Sequence, residues 1–325
     1  MSTGITQSTG STGITGSTGS IGNTGSEVKY KKVLVWESII VLGAFHVISA
    51  YAVWLTLSLQ IGLKTLIFTW AMEIVAILGA TAGSHRLWSH KAFKAKWPLK
   101  LFLAVAQTVA FQKTIFEWAR DHRIHHKYTD TDADPHNVKR GFFFAHMGWL
   151  FVRKHPDVIT KGKTIDLSDI YSDKIVMFQR KYYFPLVLVF CFAIPTYIPM
   201  YYWGETFSKA FSMNVLRYVL GINITGLVNS IAHMWGYRPY DKNIAPSESL
   251  LCSLFTCGEG WHNYHHAFPS DYKTGELGFG VINWTTGFID LMAILGLAYD
   301  LKTASKELIQ AKMTNRGDGT TSYLH

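Results

Sequence analysis

Residues 63–90, LKTLIFTWAMEIVAILGATAGSHRLWSH, join a long apolar run to a pair of histidines. A helix that crosses a bilayer needs about 20 mostly apolar residues, and the run from Leu63 to Gly83 is long enough. His85 and His90 follow at its end. Because neutral imidazole is the commonest side-chain ligand for first-row metals, the stretch predicts a membrane span that carries metal ligands at one surface of the bilayer.

Three further apolar runs predict an all-α integral membrane protein with four transmembrane helices. They cover about 33–57, 183–202 and 215–235, and the segment 205–213 is a short link before the last of them. Two other apolar stretches, 99–116 and 281–299, are interrupted by polar residues. We expect interfacial or buried amphipathic helices in both stretches rather than additional spans.

Eight of the fourteen histidines fall in three short clusters, and His233 stands alone near the end of the fourth run. The clusters are HRLWSH at 85–90, HRIHH at 122–126 and HNYHH at 262–266. Helix positions i, i+3 and i+4 share one face, so each triplet is expected to aim three nitrogens in one direction. A zinc ion needs three or four protein ligands, and this larger set suits two metals. Four of the remaining five histidines, His46, His146, His155 and His325, are expected to be ordinary surface or core residues.

The distribution of charge predicts the orientation of the spans. Most Lys and Arg residues lie between His85 and Lys181, whereas the short links hold few. Positive loops stay cytosolic, so four spans place both termini and all three histidine clusters on the cytosolic side. The net charge of +9 is explained in the same way. Basic residues are not interleaved with a recognition motif, so no nucleic-acid partner is expected.

The ends of the chain differ in composition from the middle. Residues 1–28 repeat Ser, Thr, Gly and Ile, which predicts a disordered tail because such a segment buries too little apolar surface to fold. Residues 29–305 are expected to form one domain, followed by a polar tail at 306–325. The three cysteines have neither metal-binding nor redox spacing.

Five blocks of sequence resemble the membrane fatty acyl-CoA desaturases of the stearoyl-CoA desaturase type, with details similar to the insect branch that includes moth pheromone desaturases. The blocks are residues 81–90, 117–126, 134–137, 229–236 and 258–269, and the likeness covers roughly residues 30–300. It implies a cytosolic helical cap over the four transmembrane helices, with two iron ions (Fe²⁺) at a histidine-rich di-iron site. The implied ligands are His85, His90, His122, His125, His126, His233, His262, His265 and His266, with Asn229 acting through a bound water; His136 is not among them.

The resemblance also implies an activity. The family inserts a double bond into a saturated fatty acyl-CoA with O₂, in the endoplasmic reticulum membrane. For this chain the Δ9 and Δ11 positions are both open. The sequence has no haem-binding His-Pro-Gly-Gly motif and no flavin or nicotinamide fingerprint, so the two electrons are expected from an external reductant. The resemblance implies that this reductant is cytochrome b5 with its NADH-dependent reductase. The alternatives are a fatty-acyl hydroxylase, a bifunctional conjugating desaturase, and a metal-binding membrane transporter. A transporter would place histidines within its spans, whereas here they lie at span ends and in the cap.

Substrate-binding residues are implied in the same way. Those for the CoA head group are Arg120, Asp121, Arg153 and Lys154; those for the acyl tunnel are Gln112, Trp118 and Thr225 at its bend and Glu73 and Ile77 at its closed end. The alternatives are lipid-facing roles for Arg153 and Lys154, a core role for Trp118 and helix pairing for Glu73. Two positions depart from the family pattern. Ser38 stands where Asn is frequent and Gly226 where Trp is frequent, which removes a donor and bulk near the head group.

Overall fold

The computed structural model describes residues 32–276 and 282–320. The predicted disordered tail at 1–28 and the last five residues, including His325, lie outside the described residues.

The described part of the chain has four long apolar helical segments, as predicted. They are α1 (Trp36–Leu57), α2 (Leu63–Leu78) with a π-helical continuation (Gly79–Ser89), α9 (Tyr183–Val187) with a π-helical segment (Leu188–Ala193) and α10 (Ile194–Trp203), and α11 (Phe207–Met234). Many large apolar side chains on them are exposed, among them Val47, Trp70 and Phe184. Such a surface is the one that a bilayer covers. Between the helices, Leu42 of α1 packs against Val215 and Val219 of α11.

The second and fourth segments are longer than the sequence pattern predicts. Helix α11 begins at Phe207, within the segment expected to be a link. Polar residues there have partners: Lys209 Nζ donates to the backbone oxygen of Gln60 at 2.7 Å, so the first turns of the helix tolerate them. The π-helix after α2 carries His85 and is buried throughout. At its start the backbone of the next helix, α3 (Trp97–Ala110), comes so close that a Cβ at Gly79 would lie 2.2 Å from the nitrogen of Gln107.

The apolar stretch 99–116 is two helices rather than one. Helix α3 (Trp97–Ala110) and helix α4 (Ile115–Lys127) meet at 83°. The bend follows from left-handed backbone at Phe111 and Lys113, and a capping box of Thr114 and Glu117 then starts α4. Each helix alone is too short to cross a bilayer. The stretch 281–299 contains one helix, α14 (Trp284–Ile294), with exposed Leu291 and Ile294.

The remaining described elements form a cap of short helices. They are α5 (Phe142–His146), α6 (Pro156–Gly162), α7 (Ser168–Ser172), α8 (Lys174–Lys181), α12 (Leu250–Thr256), α13 (His262–Ala267), α15 (Lys306–Arg316), two 3₁₀ turns (Val138–Arg140 and Gly148–Phe151) and the two-residue strands β1 (Lys94–Ala95) and β2 (Ala298–Tyr299). The strands pair antiparallel, with Lys94 opposite Tyr299. Helix α15 lies in the expected polar tail, and its Ile309 packs with Tyr264 and Phe268 at α13.

Candidate metal centre and adjoining cavity

The histidines are carried by four elements that converge beneath the cap. Helix α4 carries HRIHH and α13 carries HNYHH. His85 lies in the π-helix, His90 caps its end, and His233 lies in the last turn of α11. Helix α13 is held in place from outside the cluster, because Glu248 accepts a hydrogen bond of 2.6 Å from the backbone nitrogen of Tyr264.

Five histidines form the first cluster, which we call cluster A: His85, His90, His122, His126 and His265. One ring nitrogen of each lies within 4.8 Å of the others. The closest Nε2 pairs are His90–His122 at 2.8 Å, His85–His265 at 2.9 Å and His126–His265 at 2.9 Å.

Four histidines form cluster B: His125, His233, His262 and His266. The Nε2 atoms of His233 and His266 each lie 3.1 Å from that of His262. The prediction that each triplet aims three nitrogens in one direction is therefore wrong. Each helix supplies its i and i+4 histidines to one cluster and its i+3 histidine to the other, because positions i+3 and i+4 are about 100° apart around the axis.

The donor sets fit metal ions. Two imidazoles at right angles on one ion, each about 2.1 Å away, have nitrogens roughly 3 Å apart, and this is the spacing within both clusters. The pKa values of His122, His126, His265 and His266 are all held well below the usual range, first by burial and then by neighbouring histidines. The rings are therefore neutral, as metal ligands must be.

Carboxylates orient several of the rings from behind, as is typical of metal-ligating histidines. Glu259 Oε2 lies 2.8 Å from His85 Nδ1, and Asp134 Oδ2 lies 2.9 Å from His125 Nδ1. Burial alone would raise the pKa of Asp134, but His125 and its other partners lower it below the usual range. His136, which was not expected to be a ligand, contacts the other oxygen of Asp134 at 3.3 Å.

A cavity of about 730 Å³ leads from the metal centre down between α2 and α11. Along α2 it is lined by Glu73, Ile77, Thr81 and His85 at four-residue intervals, which is one helix face. Asn229 of α11 lines it together with histidines of both clusters. The residues expected at the closed end of a tunnel therefore share one cavity with the metal centre.

A second cavity, of about 1210 Å³, adjoins the first and shares Gln112, Trp118 and Thr225 with it. Gln112 Nε2 donates to Thr225 Oγ1 at 2.9 Å across the junction. The Trp118 ring stacks on His122 with centroids 4.8 Å apart. The three residues expected at a tunnel bend thus stand between the two cavities.

Comparisons with known proteins agree with this geometry. A family model described as fatty acid desaturase matches residues 68–272. The chain is 51% identical to an acyl-CoA Delta(11) desaturase of Spodoptera littoralis, over 91% of this chain and 87% of the relative. It is 52% identical to an acyl-CoA Delta-9 desaturase of Acheta domesticus, over 90% and 81%, and 53% identical to a stearoyl-CoA desaturase of Homo sapiens, over 88% and 79%.

The chain belongs to the fatty acid desaturase family. The recognition made from the five sequence blocks is confirmed, and insect members are among the relatives. Relatives named for Δ9 and for Δ11 products are equally similar to this desaturase.

A cluster of cations surrounds one buried carboxylate at the second cavity of this desaturase. Asp121 accepts from Lys154 Nζ at 2.6 Å, Lys113 Nζ at 3.0 Å and Arg120 Nη2 at 2.9 Å. Burial alone would raise the pKa of Asp121, but the three cations lower it below the usual range. Burial lowers the pKa of Lys154 to about 8. Arg153 is exposed beside this group and outside the cavity lining.

The two departures from the family pattern both lie at the second cavity. Ser38 lines it beside Glu37. Gly226 packs against α5, since a Cβ there would lie 2.7 Å from the backbone oxygen of His146. The His146 ring also lines the cavity and contacts Ser230 Oγ at 3.0 Å.

Sequence reasoning missed several residues of the desaturase site. Lys113, Arg217 and Glu259 were assigned no role, and His146 was expected to be ordinary. A charged residue inside an apolar run, such as Arg217, is a signal that could have been used. Lys113 interrupts the apolar stretch 99–116 and Glu259 lies in the block 258–269, so both also carried a local signal. The contact of His146 with Ser230 depends on long-range packing.

Proposed function

We propose that this protein is an acyl-CoA desaturase that inserts a double bond into a saturated fatty acyl-CoA. The observation that carries the proposal is the pair of histidine clusters at the head of a largely apolar cavity between membrane spans. An unactivated C–H bond has no acidic proton, so side-chain acids and bases cannot break it. The desaturase names of the relatives support the same reaction.

The proposed cofactor is a pair of ferrous ions, one in each histidine cluster, with Asn229 binding the second through a water. When bound, the ions supply the oxidising power from O₂ and external electrons that the side chains lack. The chain's own residues then hold and orient the reaction site. Glu259 and Asp134 fix the rings of His85 and His125, and the apolar cavity walls exclude water from the oxidised carbons.

The CoA head group is proposed to bind at Lys113, Arg120 and Lys154, with Arg153 at the rim. Arg and Lys suit phosphate through charge-assisted hydrogen bonds, and Asp121 holds three of these cations in place before substrate arrives. A groove of about 960 Å³ continues from Arg120 and Lys154 over the surface of the cap. Helix α4 carries both Asp121 and His122, so one helix fixes the head-group site relative to cluster A.

The acyl chain is proposed to pass Gln112, Trp118 and Thr225 and to end at Ile77 and Glu73. The position of the double bond then depends on the distance from the head group to the metal centre, and the accepted chain length depends on the far wall. Both Δ9 and Δ11 products fit this arrangement.

We also propose an endoplasmic reticulum location with both termini cytosolic. The four spans and the basic segment between His85 and Lys181 support this orientation. Electrons are proposed to come from cytochrome b5 and its NADH-dependent reductase, which reach the cap from the cytosol.

Expression in a desaturase-deficient yeast, with double-bond positions read by mass spectrometry, tests the function. Unsaturated products are expected from the wild type and none from His125→Ala, which removes a cluster B ligand and should also lower bound iron. His155→Ala is the matched control, because that histidine caps α6 and belongs to neither histidine cluster. Hydroxylated products would favour a hydroxylase, and full activity of His125→Ala would contradict the metal assignment.

A further inference from the structure

The cavity below the metal centre is lined by two charged side chains that lie within the candidate membrane spans Leu63–Ser89 and Phe207–Met234. Glu73 of α2 and Arg217 of α11 both line it and are 3% and 1% exposed. Glu73 Oε2 and Arg217 Nη1 are 3.9 Å apart, which is longer than a hydrogen bond. Ionisable groups inside a membrane span are costly and usually serve a function. We call the end of the cavity at Glu73 and Arg217 its floor. A floor that contacted only the methyl end of an acyl chain would need no charge.

Glu73 and Arg217 differ in their hydrogen bonding. Arg217 is anchored, because its Nε donates to Asn214 Oδ1 at 3.1 Å and its Nη2 to Cys191 Sγ at 3.3 Å. Within the described part of the chain, neither carboxylate oxygen of Glu73 has a hydrogen-bond partner. A buried acceptor without a donor is unfavourable, so the floor of the cavity is suited to a ligand that supplies one.

Gly221 gives the Glu73 carboxylate its position. A Cβ at Gly221 would lie 2.8 Å from Oε1 and 3.3 Å from Oε2, so any larger residue would displace the carboxylate. Glu73 is also three helical turns from His85 along the cavity-lining face of α2, at most about 18 Å. The polar group is therefore far from the oxidised carbons and close to the end of a bound chain.

We propose that Glu73 and Arg217 form a hydroxyl-binding subsite that takes a fatty acyl chain with a terminal (ω) hydroxyl group. The inference rests on the proposed acyl-CoA desaturase function. A hydroxyl group donates to a Glu73 oxygen and accepts from Arg217 Nη1, whereas a methyl group does neither. A site built around a hydrogen bond discriminates strongly against a ligand that lacks the group.

Competition between paired substrates tests the subsite. Saturated acyl-CoAs of twelve to eighteen carbons are supplied as equal mixtures of the ω-methyl and ω-hydroxy forms of one length, with desaturated products measured by mass spectrometry. The wild type should favour the ω-hydroxy form at the length that reaches the floor, by about ten-fold, which corresponds to about 1.4 kcal/mol. Glu73→Leu should reverse this preference.

Two further variants control the experiment. Gly221→Ala displaces the carboxylate without removing it and should weaken the preference, which provides a measurement even if Glu73→Leu does not fold. Ile77→Ala, one turn away, changes volume but not polarity, and should shift the best chain length with the preference unchanged. Because both substrates compete for the same protein, a lower yield of folded protein does not alter the ratio.

The outcomes distinguish a failure of the hydroxyl-binding subsite from a failure of the proposed desaturase function. Normal desaturation of ω-methyl substrates with the same product ratio in the wild type, Glu73→Leu and Gly221→Ala would overturn the subsite alone. A wild type that rejects ω-hydroxy chains at every length would also overturn it. Failure of the wild type to desaturate any acyl-CoA would contradict the proposed function and this inference with it.

Discussion

Replacing Glu259 with glutamine should remove the negative charge that orients His85 in the metal centre. Glu259 Oε1 accepts from Arg86 Nη2 at 2.7 Å, and Oε2 lies 2.8 Å from His85 Nδ1. An amide has one acceptor and one donor group, so glutamine cannot accept from both partners. Arg86 is fully buried, and it would keep its neutral partners, such as Thr286, but lose its counter-charge.

The expected loss of stability in Glu259→Gln follows from the pKa of the carboxylate. Burial alone would raise the pKa of Glu259, but Arg86 and His85 lower it from 4.5 to about 2. A shift of that size corresponds to about 3 kcal/mol of stabilisation. Because the folded-state pKa is lowered, this contribution is complete above about pH 4.5 and is lost as the pH falls toward 2. Glu259→Gln should therefore cost about 3 kcal/mol at neutral pH, and metal affinity should fall about 10–100-fold.

Two measurements check this prediction. The melting temperature of metal-free protein in detergent should fall by roughly 5–10 °C, and iron should be lost to a weaker chelator than for the wild type. Asp300→Asn is the matched control, since it makes the same chemical change in an exposed ion pair with Lys94, where little stability is at stake. If both variants melt and bind iron alike, the ion pair does not hold His85 and the reasoning fails.

The remaining predictions concern the electron donor, the head group and chain length. Purified protein with acyl-CoA and O₂ should complete at most one turnover until reduced cytochrome b5 is added; sustained turnover with NADH alone would show that a cofactor site was missed. Arg120→Ala and Lys154→Ala should each raise KM for acyl-CoA more than for a free fatty acid, since a charge-assisted hydrogen bond is worth about 1.5–3 kcal/mol; an unchanged KM would place both residues facing lipid. Ile77→Ala should shift preference by one two-carbon unit toward longer chains, at about 0.8 kcal/mol per buried methylene, without moving the double bond; an unchanged product profile would assign Ile77 to helix packing.

The spans and the histidine clusters could be predicted because both are local patterns. An apolar run of about 20 residues has few alternatives to a membrane helix, and a spacing of i, i+3, i+4 places side chains on one side of a helix. The division of each triplet between clusters could not be read from one helix. It depends on how α4 and α13 face each other, so that His125 joins His262 while His265 joins His122.

Long-range packing also decided where prediction and structure differ. The start of α11 at Phe207 depends on the hydrogen bond from Lys209 to the backbone oxygen of Gln60, just after the end of α1. Hydropathy alone does not reveal this contact. Likewise, Glu73 is an isolated acid in an apolar run until Gly221 and Arg217 are seen opposite it. The family resemblance supplied residue positions for the cavity, whereas its polar floor follows from contacts between distant parts of the chain.

The division of the α4 and α13 histidines between clusters A and B has a consequence for metal loading. Each helix contributes to both clusters, so an ion that binds in either cluster immobilises both helices. The second ion then binds to a preordered site and loses less conformational entropy than the first. Iron titration of the metal-free protein should accordingly be cooperative, with few singly loaded molecules at intermediate occupancy. Variants that weaken one cluster should lower occupancy of the other by the same coupling.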